Sequence, residues 1–211
     1  MSRNAILDAV RAALGHSEKE PAPDPPPVRL RIPDVSLESR IASMTTSVEA
    51  LAGRVLRAPT PQHAGRLVRE RIANQNAVAS NSPYLDECGI RGLPNVHSGI
   101  TKPDELQKLC AAADVGITGV DYALADTGTL VVLSSPYEAR MISLLPPAHL
   151  AVMACSRLLT GLDELFTVLP DPAVATSSMV FITGPSRTAD IEQILVRGVH
   201  GPGEIVVILV G

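Results

Sequence analysis

The chain has few aromatic residues and little net charge. Its 211 residues include two Phe, three Tyr and no Trp, so few rings are available for stacking nucleic-acid bases. The formal net charge of −4 also gives no basic footprint of the kind that nucleic-acid-binding proteins carry. These two absences predict that nucleic acid is not a partner.

Cysteine and metal-binding motifs are equally scarce. Cys88, Cys110 and Cys155 are far apart and form no Cys-x-x-Cys pair. A zinc ribbon, a thioredoxin-type pair or an iron–sulfur cluster held by this chain alone is therefore not expected. The three are predicted to be buried or half-buried free thiols in a reducing compartment. No His-x-x-x-His or His-Glu-x-x-His pair occurs, so no metal site is predicted.

Long apolar runs and the common nucleotide motifs are missing too. No run approaches the roughly 20 residues of a membrane-spanning helix, and the first residues lack the apolar stretch of a secretory signal. A cytoplasmic protein without a membrane span is expected. The sequence has no Gly-x-Gly-x-x-Gly after a strand, no P-loop and no Gly-x-Ser-x-Gly elbow. Dinucleotide binding, P-loop hydrolysis and serine-hydrolase chemistry therefore lack their signatures.

Two regions of different composition are present. Residues 3–14 have apolar side chains at helical spacing, and the Pro-rich stretch Glu20–Pro27 favours a semi-rigid extended spacer. We therefore assign residues 1–35 to an N-terminal helical arm and spacer, and residues 36–211 to an α/β domain. A helix this short is marginal in water, so the arm is expected to dock on the domain or on another subunit.

Residues 36–211 alternate between helical and strand-like patterns. The predicted helices are Leu37–Leu51 behind the N-cap Ser36, Pro61–Ala73, Pro103–Ala112, Leu162–Leu169 and Thr188–Val196. The predicted strands are Arg54–Arg57, Ala77–Ser80, Val115–Thr118, Thr129–Leu133, Met141–Leu145, Leu150–Met153, Met179–Thr183 and Glu204–Val210. Continuous apolar strands are typical of parallel sheets covered on both faces. The pattern predicts a three-layer α/β/α sandwich, mostly parallel, with an antiparallel insertion between Asp126 and Met153.

The first candidate site lies within Gly116–Leu133, where two apolar runs flank small polar residues. Asp121 and Asp126 are the candidate catalytic carboxylates, able to act as acid and base if they share a cleft. The neighbouring candidates for ligand binding are Thr118, Gly119, Thr127 and Gly128. The alternative is an ordinary Asp-Thr-Gly turn whose carboxylate bonds local backbone amides.

The second candidate site follows the strand Met179–Thr183. Gly184 permits a tight turn, and the amides from Gly184 to Ser186 at a helix start would form an anion site that Arg187 reinforces. The alternative is a plain helix cap with a solvent-exposed arginine.

Several motifs resemble one known family. They are Gly116–Leu130, Arg140-x-x-Ser-Leu-Leu-Pro-Pro147 with His149, Ile182–Glu192 and Gly198–Pro202. In order and content they resemble the lactate-utilisation protein C family, the short members of the LUD-domain group. The resemblance implies a Rossmann-like sandwich of the NagB/RpiA/CoA-transferase type. It also implies a part in oxidising L-lactate to pyruvate together with two iron–sulfur partner proteins, which would carry the clusters while this chain carries no cofactor.

Three functions follow as hypotheses. In the first, the chain is a cluster-free subunit of a lactate-oxidising assembly that binds a small carboxylate or other anion at the strand ends. Arg140, Arg187 and the Gly184–Ser186 amides would hold the anion, while Asp121, Asp126 and Thr127 would contact hydroxyls or relay protons. The second is a stand-alone enzyme with CoA-transferase or sugar-phosphate-isomerase chemistry, and the third is a regulatory or structural module. The sequence leaves open whether the chain is itself an enzyme, and its oligomeric state.

Overall fold

The structure is a computed structural model that describes residues 3–15, 32–189 and 195–211. The chain divides into two compact units, Met1–Arg31 and Ile32–Gly211. In the first unit, helix α1 (Arg3–Leu14) confirms the predicted amphipathic helix. The Pro-rich spacer lies outside the described residues. The domain boundary and the docking of the arm stay predictions.

The second unit alternates helices and strands. Its helices are α2 (Leu37–Ala50), α3 (Pro61–Ile72), α4 (Pro83–Glu87), α5 (Pro103–Ala112), α6 (Leu162–Val168) and α7 (Pro172–Ala175), with short 3-10 turns at Arg140–Ser143 and Cys155–Arg157. Its strands are β1 (Arg54–Ala58), β2 (Ala77–Ala79), β3 (Val96–His97), β4 (Val115–Gly119), β5 (Tyr122–Leu124), β6 (Thr129–Leu133), β7 (Ala148–Ala154), β8 (Leu158–Leu159), β9 (Met179–Ile182), β10 (Arg187–Ala189), β11 (Leu195–Arg197) and β12 (Glu204–Val210).

The main sheet is parallel throughout. Its six strands follow the order β1-β12-β7-β4-β2-β3, and every neighbouring pair runs in the same direction. Strand β12 is buried from Ile205 to Val210 on both faces, which explains its unbroken apolar sequence. The predicted mostly parallel sandwich is confirmed.

Alternate residues of the main sheet enter different apolar clusters. On one face, Val206 and Ile208 of β12 pack with Val68 of α3 and Leu85 of α4. On the other face, Val207 and Leu209 lie in the cluster that contains Met44 of α2. Helix α5 packs its own cluster against β2. Helices or a second sheet thus cover both faces, which gives three layers.

A smaller sheet supplies the antiparallel part of the fold. Its order is β8-β5-β6-β9, and β6 is antiparallel to both β5 and β9. The prediction of an antiparallel patch after Asp126 is therefore correct in kind, although its strands extend from Tyr122 to Ile182. The hairpin β5–β6 carries the first candidate site at its two ends.

Two predicted elements are wrong. The strand predicted at Met141–Leu145 is instead the 3-10 turn Arg140–Ser143. A Cβ on Gly116 would lie 1.9 Å from the Ile142 carbonyl oxygen. The backbone of this turn therefore packs directly against strand β4 of the main sheet and does not pair with it as a strand.

The second wrong element is the helix predicted at Thr188–Val196. Arg187–Ala189 and Leu195–Arg197 form an antiparallel pair, and residues 190–194 lie outside the described part of the chain. The Gly198 amide donates to the Ser186 carbonyl at 3.0 Å and the Ser186 amide donates to the Pro202 carbonyl at 2.8 Å. These backbone bonds tie the base of the hairpin, so Gly184–Ser186 lead into a strand and not into a helix N-terminus.

Candidate functional site

A cleft lies at the carboxyl edge of the main sheet, where open parallel sheets place their ligands. Strands β7, β4 and β2 are neighbours, and the chain leaves each of them at this edge. The cleft encloses about 210 Å³. The residues that line it are Ser82, Pro83, Tyr84, Gly119, Val120, Asp121, Ser135, Tyr137, Glu138, Ala154 and Arg157. We call this cavity the carboxyl-edge cleft.

Asp121 follows β4 and is half-buried in the cleft. Its carboxylate Oδ2 accepts a hydrogen bond from the Leu133 amide at 2.7 Å, and Oδ1 lies 3.8 Å from Nη1 of Arg157. Burial raises the pKa of Asp121, and the Leu133 amide and Arg157 oppose this effect. The carboxylate is thus oriented by a backbone amide and faces the half-exposed guanidinium of Arg157.

Glu138 is the buried acid of the cleft, with only 6% of its surface exposed. The Ser80 hydroxyl, directly after β2, lies 2.8 Å from its Oε2 atom. Burial raises the pKa of Glu138 to about 8, and neighbouring Asp121 adds to the rise, while Ser80 and the Gly119 amide only partly offset it. Glu138 is therefore mostly protonated at pH 7. Its Oε1 atom is buried and has no hydrogen-bond partner of normal geometry among the residues that the structure describes.

Gly119 leaves room where β4 ends. A Cβ at this position would lie 2.5 Å from Oγ of Ser82 and 3.4 Å from Oε2 of Glu138. Any side chain would therefore enter the space between these two polar groups. Gly119, a ligand-binding candidate from the sequence, lies on the cleft wall, and its contact with a ligand stays a prediction.

Hydroxyl groups complete the wall. The Ser135 oxygen accepts hydrogen bonds from the amides of Tyr137 and Glu138 at 3.2 and 3.1 Å, which leaves its O–H able to donate. Burial, together with nearby Cys88 and Glu87, raises the pKa of Tyr84 to about 12, so its phenol also stays a donor. With Arg157 and protonated Glu138, the cleft has several donors for an anion and one carboxylate, Asp121, that can accept from a ligand hydroxyl.

Thr118 lies beneath the cleft rather than in its wall. It is buried, and its Oγ1 is 2.8 Å from Nε2 of His149. Complete burial lowers the pKa of His149 to about 4, so the imidazole is neutral at pH 7. The sequence singled out both residues, and the structure places them together in the sheet interior.

Asp126 lies at the other end of the β5–β6 hairpin, in a different depression. That depression is lined by Ile32, Pro33, Asp126, Thr160, Gly161, Leu162, Asp163 and Glu164. The backbone of the hairpin turn is held by α2, since Oγ of Ser43 and Oγ of Ser47 donate to the carbonyls of Ala125 and Asp126 at 2.9 and 3.1 Å.

The residues directly after Asp126 are also held by contacts within the protein. Thr127, Thr129 and Thr183 form a chain of hydroxyl contacts of 2.8 Å each. Gly128 has φ +68, and a Cβ there would lie 2.9 Å from the Val48 amide nitrogen. Gly128 is therefore required by a left-handed turn pressed against α2. Asp121 and Asp126 do not line one cavity.

The predicted anion-binding residues are also dispersed. Exposed Arg140 donates to Oγ of Ser178 at 3.5 Å, and exposed Arg187 donates to the Leu51 carbonyl. Gly184 has φ +81 and packs against the Leu51 side chain. Ser186 is engaged through its backbone at the base of the β10–β11 hairpin. None of these four residues lines the carboxyl-edge cleft.

Sequence reasoning missed Glu138 and Arg157. Glu138 follows β6 in the turn Ser135-Pro-Tyr-Glu138, and Arg157 follows β7 in Cys155-Ser-Arg157. For Arg157 the usable signal was its place after an apolar strand of the main sheet, because the carboxyl ends of parallel strands meet at one edge. Glu138 follows the antiparallel strand β6, so this signal does not mark it. The sequence reasoning applied this signal only to the two Gly-rich segments.

The described residues 3–15, 32–189 and 195–211 carry neither a metal-binding cluster nor a membrane-spanning helix. There, no group of three or more His, Cys, Asp or Glu side chains is arranged to hold a metal ion. Cys88, Cys110 and Cys155 are buried free thiols, as predicted, and each belongs to a different apolar cluster. None of the described helices is long and apolar enough to cross a bilayer.

The chain is similar to proteins named for lactate utilisation. It is 35% identical over 143 residues to "Lactate utilization protein C" of Halalkalibacterium halodurans, covering 64% of this chain and 62% of that one. It is 31% identical over 154 residues to the protein of the same name from Bacillus subtilis, covering 66% and 64%. The chain thus spans less than two thirds of these relatives' length.

A structural relative and a family model agree with this similarity. The crystal structure of a DUF162 family protein from Deinococcus radiodurans matches with a TM-score of 0.62 at 17% identity, covering 84% of this chain and 99% of that chain. At this identity the match shows a common fold. The model of the LUD domain matches residues 41–210. This chain therefore belongs to the LUD domain family.

Proposed function

We propose that this chain acts in lactate utilisation, as the cluster-free subunit of an assembly that oxidises L-lactate to pyruvate. The names of its relatives in Halalkalibacterium halodurans and Bacillus subtilis support the process. The resemblance of its motifs to the lactate-utilisation protein C family supports the subunit role.

The carboxyl-edge cleft is the proposed binding site for a small carboxylate. The observation that carries this proposal is the set of donors around Asp121: the Arg157 guanidinium, the protonated Glu138 and the Ser135 hydroxyl line one cavity. Its volume of about 210 Å³ is below the roughly 300–1,000 Å³ of sites for drug-sized ligands. A ligand of a few carbon atoms suits this space, and its hydroxyl would donate to Asp121.

Iron–sulfur proteins are the proposed partners. Oxidation of lactate to pyruvate releases two electrons and two protons, so a carrier must accept the electrons. The three thiols of this chain lie in separate apolar clusters, and burial raises the pKa of Cys88 and Cys110 to about 11. Such separated, protonated thiols cannot jointly ligate a cluster. The clusters are therefore assigned to the partners.

One observation favours the second candidate, a stand-alone enzyme. Asp121 and Glu138 face one cleft, and Glu138 has a pKa of about 8. Two carboxyl groups in one cleft, one of them protonated, form the kind of acid–base pair that sugar-phosphate isomerisation needs. Native mass spectrometry of the purified chain separates the candidates. Tightly held CoA or sugar phosphate would favour the stand-alone enzyme.

Reconstitution tests the leading proposal. The purified chain is combined with the iron–sulfur proteins, and L-lactate-dependent reduction of a dye is measured. We expect activity that needs all components and that falls when Arg157 is replaced by Ala. Exposed Arg66 on α3 does not line the cleft, so Arg66→Ala serves as the matched control. If adding the chain produces no lactate-dependent reduction, the subunit role is wrong.

A further inference from the structure

We propose that Glu138 donates a hydrogen bond to the ligand carboxylate, and that the cleft thereby selects monocarboxylates with a 2-oxygen against dicarboxylates. This inference rests on the proposed function, because it assumes that the carboxyl-edge cleft is the carboxylate site. Beyond the proposed function, Glu138 is assigned as a hydrogen-bond donor, the ligand is assigned a single carboxylate, and ligand binding is coupled to proton uptake.

The position of Glu138 fits a donor rather than a structural acid. Its surface is 6% exposed, yet it lines the cleft. Oε2 is engaged with the Ser80 hydroxyl at 2.8 Å, while buried Oε1 has no partner of normal geometry within the described residues. A buried polar atom left without a partner costs free energy. A ligand oxygen in the cleft would supply that partner after a rotation of the carboxyl group, because Oε1 itself has almost no exposed surface.

The charges around Glu138 favour its neutral form. Of the groups that line the cleft with it, Asp121 after β4 is acidic, Arg157 after β7 is basic, and Tyr84 of α4 and Tyr137 are phenols. Arg157 is within 3.8 Å of Asp121, and Asp121 raises the pKa of Glu138 in addition to burial. The cation is thus matched to Asp121, which leaves Glu138 to hold a proton.

The charges of the cleft also determine how many carboxylates a ligand can carry. Asp121 and Arg157 together contribute no net charge. One ligand carboxylate can then be held by the Glu138 O–H, the Ser135 hydroxyl and the outer nitrogens of Arg157. A second carboxylate would enter a small cavity in which Arg157 is the sole cationic residue of the wall. Each further negative charge that the wall does not compensate is unfavourable, so a dicarboxylate should bind more weakly than a monocarboxylate.

Binding then depends on pH in a defined way. Below a pH of about 8 Glu138 carries its proton and donates to the ligand. Above that value the ligand must bind together with a proton, or else meet a second negative charge. The affinity of the wild-type chain should therefore fall by up to about tenfold per pH unit above pH 8. Gln at position 138 keeps an N–H donor at every pH.

Calorimetric titration of the full chain tests these statements with L-lactate, pyruvate and L-malate. Malate carries a second carboxylate on the methyl carbon of lactate, so the pair compares a dicarboxylate with a monocarboxylate that shares its 2-hydroxyl group. Titrations at about pH 6 and about pH 9, in buffers of different ionisation enthalpy, report the protons taken up on binding. The variants are Glu138→Gln and the matched control Glu70→Gln, since Glu70 is exposed on α3 and does not line the cleft.

We expect lactate binding that takes up close to one proton at about pH 9 and almost none at about pH 6. The affinity for malate should be at least about tenfold weaker than that for lactate. E138Q should bind lactate with a flat pH profile, and E70Q should behave as wild type. The proton count and the malate ratio are measured on wild type, so they hold even if E138Q fails to fold.

Two kinds of failure are distinguishable. Lactate binding without proton uptake, or with equal pH profiles in wild type and E138Q, overturns the role of Glu138 and leaves the carboxylate site standing. Equal affinity for malate and lactate overturns the selection by charge. If neither lactate nor pyruvate binds at any pH, the carboxylate site itself is wrong and this inference fails with it.

Discussion

Asp121 and Asp126 stand at opposite ends of strand β5 and have different surroundings. Asp121 is half-buried, accepts a hydrogen bond from the Leu133 amide and lies near Arg157. Asp126 is exposed, and its turn is anchored to α2 by backbone-directed hydroxyls. The two residues look equivalent in sequence, yet only Asp121 lines the carboxyl-edge cleft.

The geometry of a strand explains the separation. An extended chain advances about 3.3 Å per residue, so residues five positions apart across a strand are roughly 16 Å apart. The carboxyl-edge cleft is accordingly lined by Asp121 and not by Asp126. Close spacing in sequence therefore argues against a shared site when the intervening residues are a strand, and Asp121 finds its partners in Glu138 and Arg157 from distant segments.

The largest expected effect comes from exchanging each aspartate for asparagine. Asp121→Asn removes the negative charge that faces Arg157 and replaces one of the two acceptor oxygens with an N–H donor, which cannot accept from the ligand hydroxyl. A hydrogen bond between a charged group and the ligand contributes about 2 kcal/mol, so lactate-dependent dye reduction should fall roughly thirtyfold. Asp126→Asn should change it less than about twofold. Equal losses in both variants would mean that the Asp126 depression takes part in function.

A matched pair of glycines sharpens the same comparison. A Cβ on Gly119 would lie 2.5 Å from Oγ of Ser82, and one on Gly161 would lie 2.6 Å from Oδ2 of Asp126. Exposed Asp126 can turn away, whereas a methyl group on Gly119 enters the cleft. We expect Gly119→Ala to weaken lactate binding by about tenfold and Gly161→Ala to leave it within about twofold, from calorimetric affinities. If G119A binds lactate as tightly as wild type, the ligand does not contact this wall of the cleft.

The dependence of stability on pH is expected to come from two buried titratable groups, Glu138 and His149. The pKa of Glu138 is raised to about 8 in the folded chain from 4.5, so the unfolded chain ionises first and the free energy of unfolding falls as pH rises through this window. The pKa of His149 is lowered to about 4 from 6.5, so stability is lost as pH falls through that one. Each slope is at most about 1.4 kcal/mol per pH unit.

The two windows overlap between pH 4.5 and 6.5, where the slopes oppose each other. Urea unfolding across this range should therefore show a plateau, with stability falling toward about pH 8 on one side. Glu138→Gln should abolish the alkaline fall and keep the acid one. An alkaline slope that survives in E138Q would show that another group causes it.

The smallest effects are expected from the arginines that sequence analysis placed at the site. Arg140 and Arg187 are exposed, and their described partners are Ser178 and the Leu51 carbonyl. Exposed polar contacts of this kind contribute at most about 1 kcal/mol to stability. Arg140→Ala and Arg187→Ala should each change the affinity for lactate less than about twofold by calorimetry. A loss above about tenfold in either variant would require a ligand site near β9 or β10.

The fold was predictable where local signals agreed. The continuous apolar run gave β12 its predicted bounds, Glu204–Val210. Ser36 caps α2 as predicted, accepting from the Ser39 amide. The errors arose where tertiary packing overrides local pattern, as at Arg140–Ser143, whose backbone lies against Gly116.

The site was predictable only in part. Asp121 and Gly119 directly follow or end a buried strand, so their place at the sheet edge could be read from the sequence. Glu138 and Ser80 are 58 residues apart, and Arg157 is 36 residues from Asp121. No spacing rule connects such positions, because the strand order of the sheet brings them together.

Amide chemical-shift mapping tests the central claim most directly. L-lactate is titrated into the isotope-labelled full chain, and the shifts of all assigned backbone amides are followed by NMR. The account predicts saturable changes at Gly119, Asp121 and Leu133, with the Thr127 and Gly128 amides unmoved. Changes confined to the Asp126 turn, or to the β10–β11 hairpin, would contradict it.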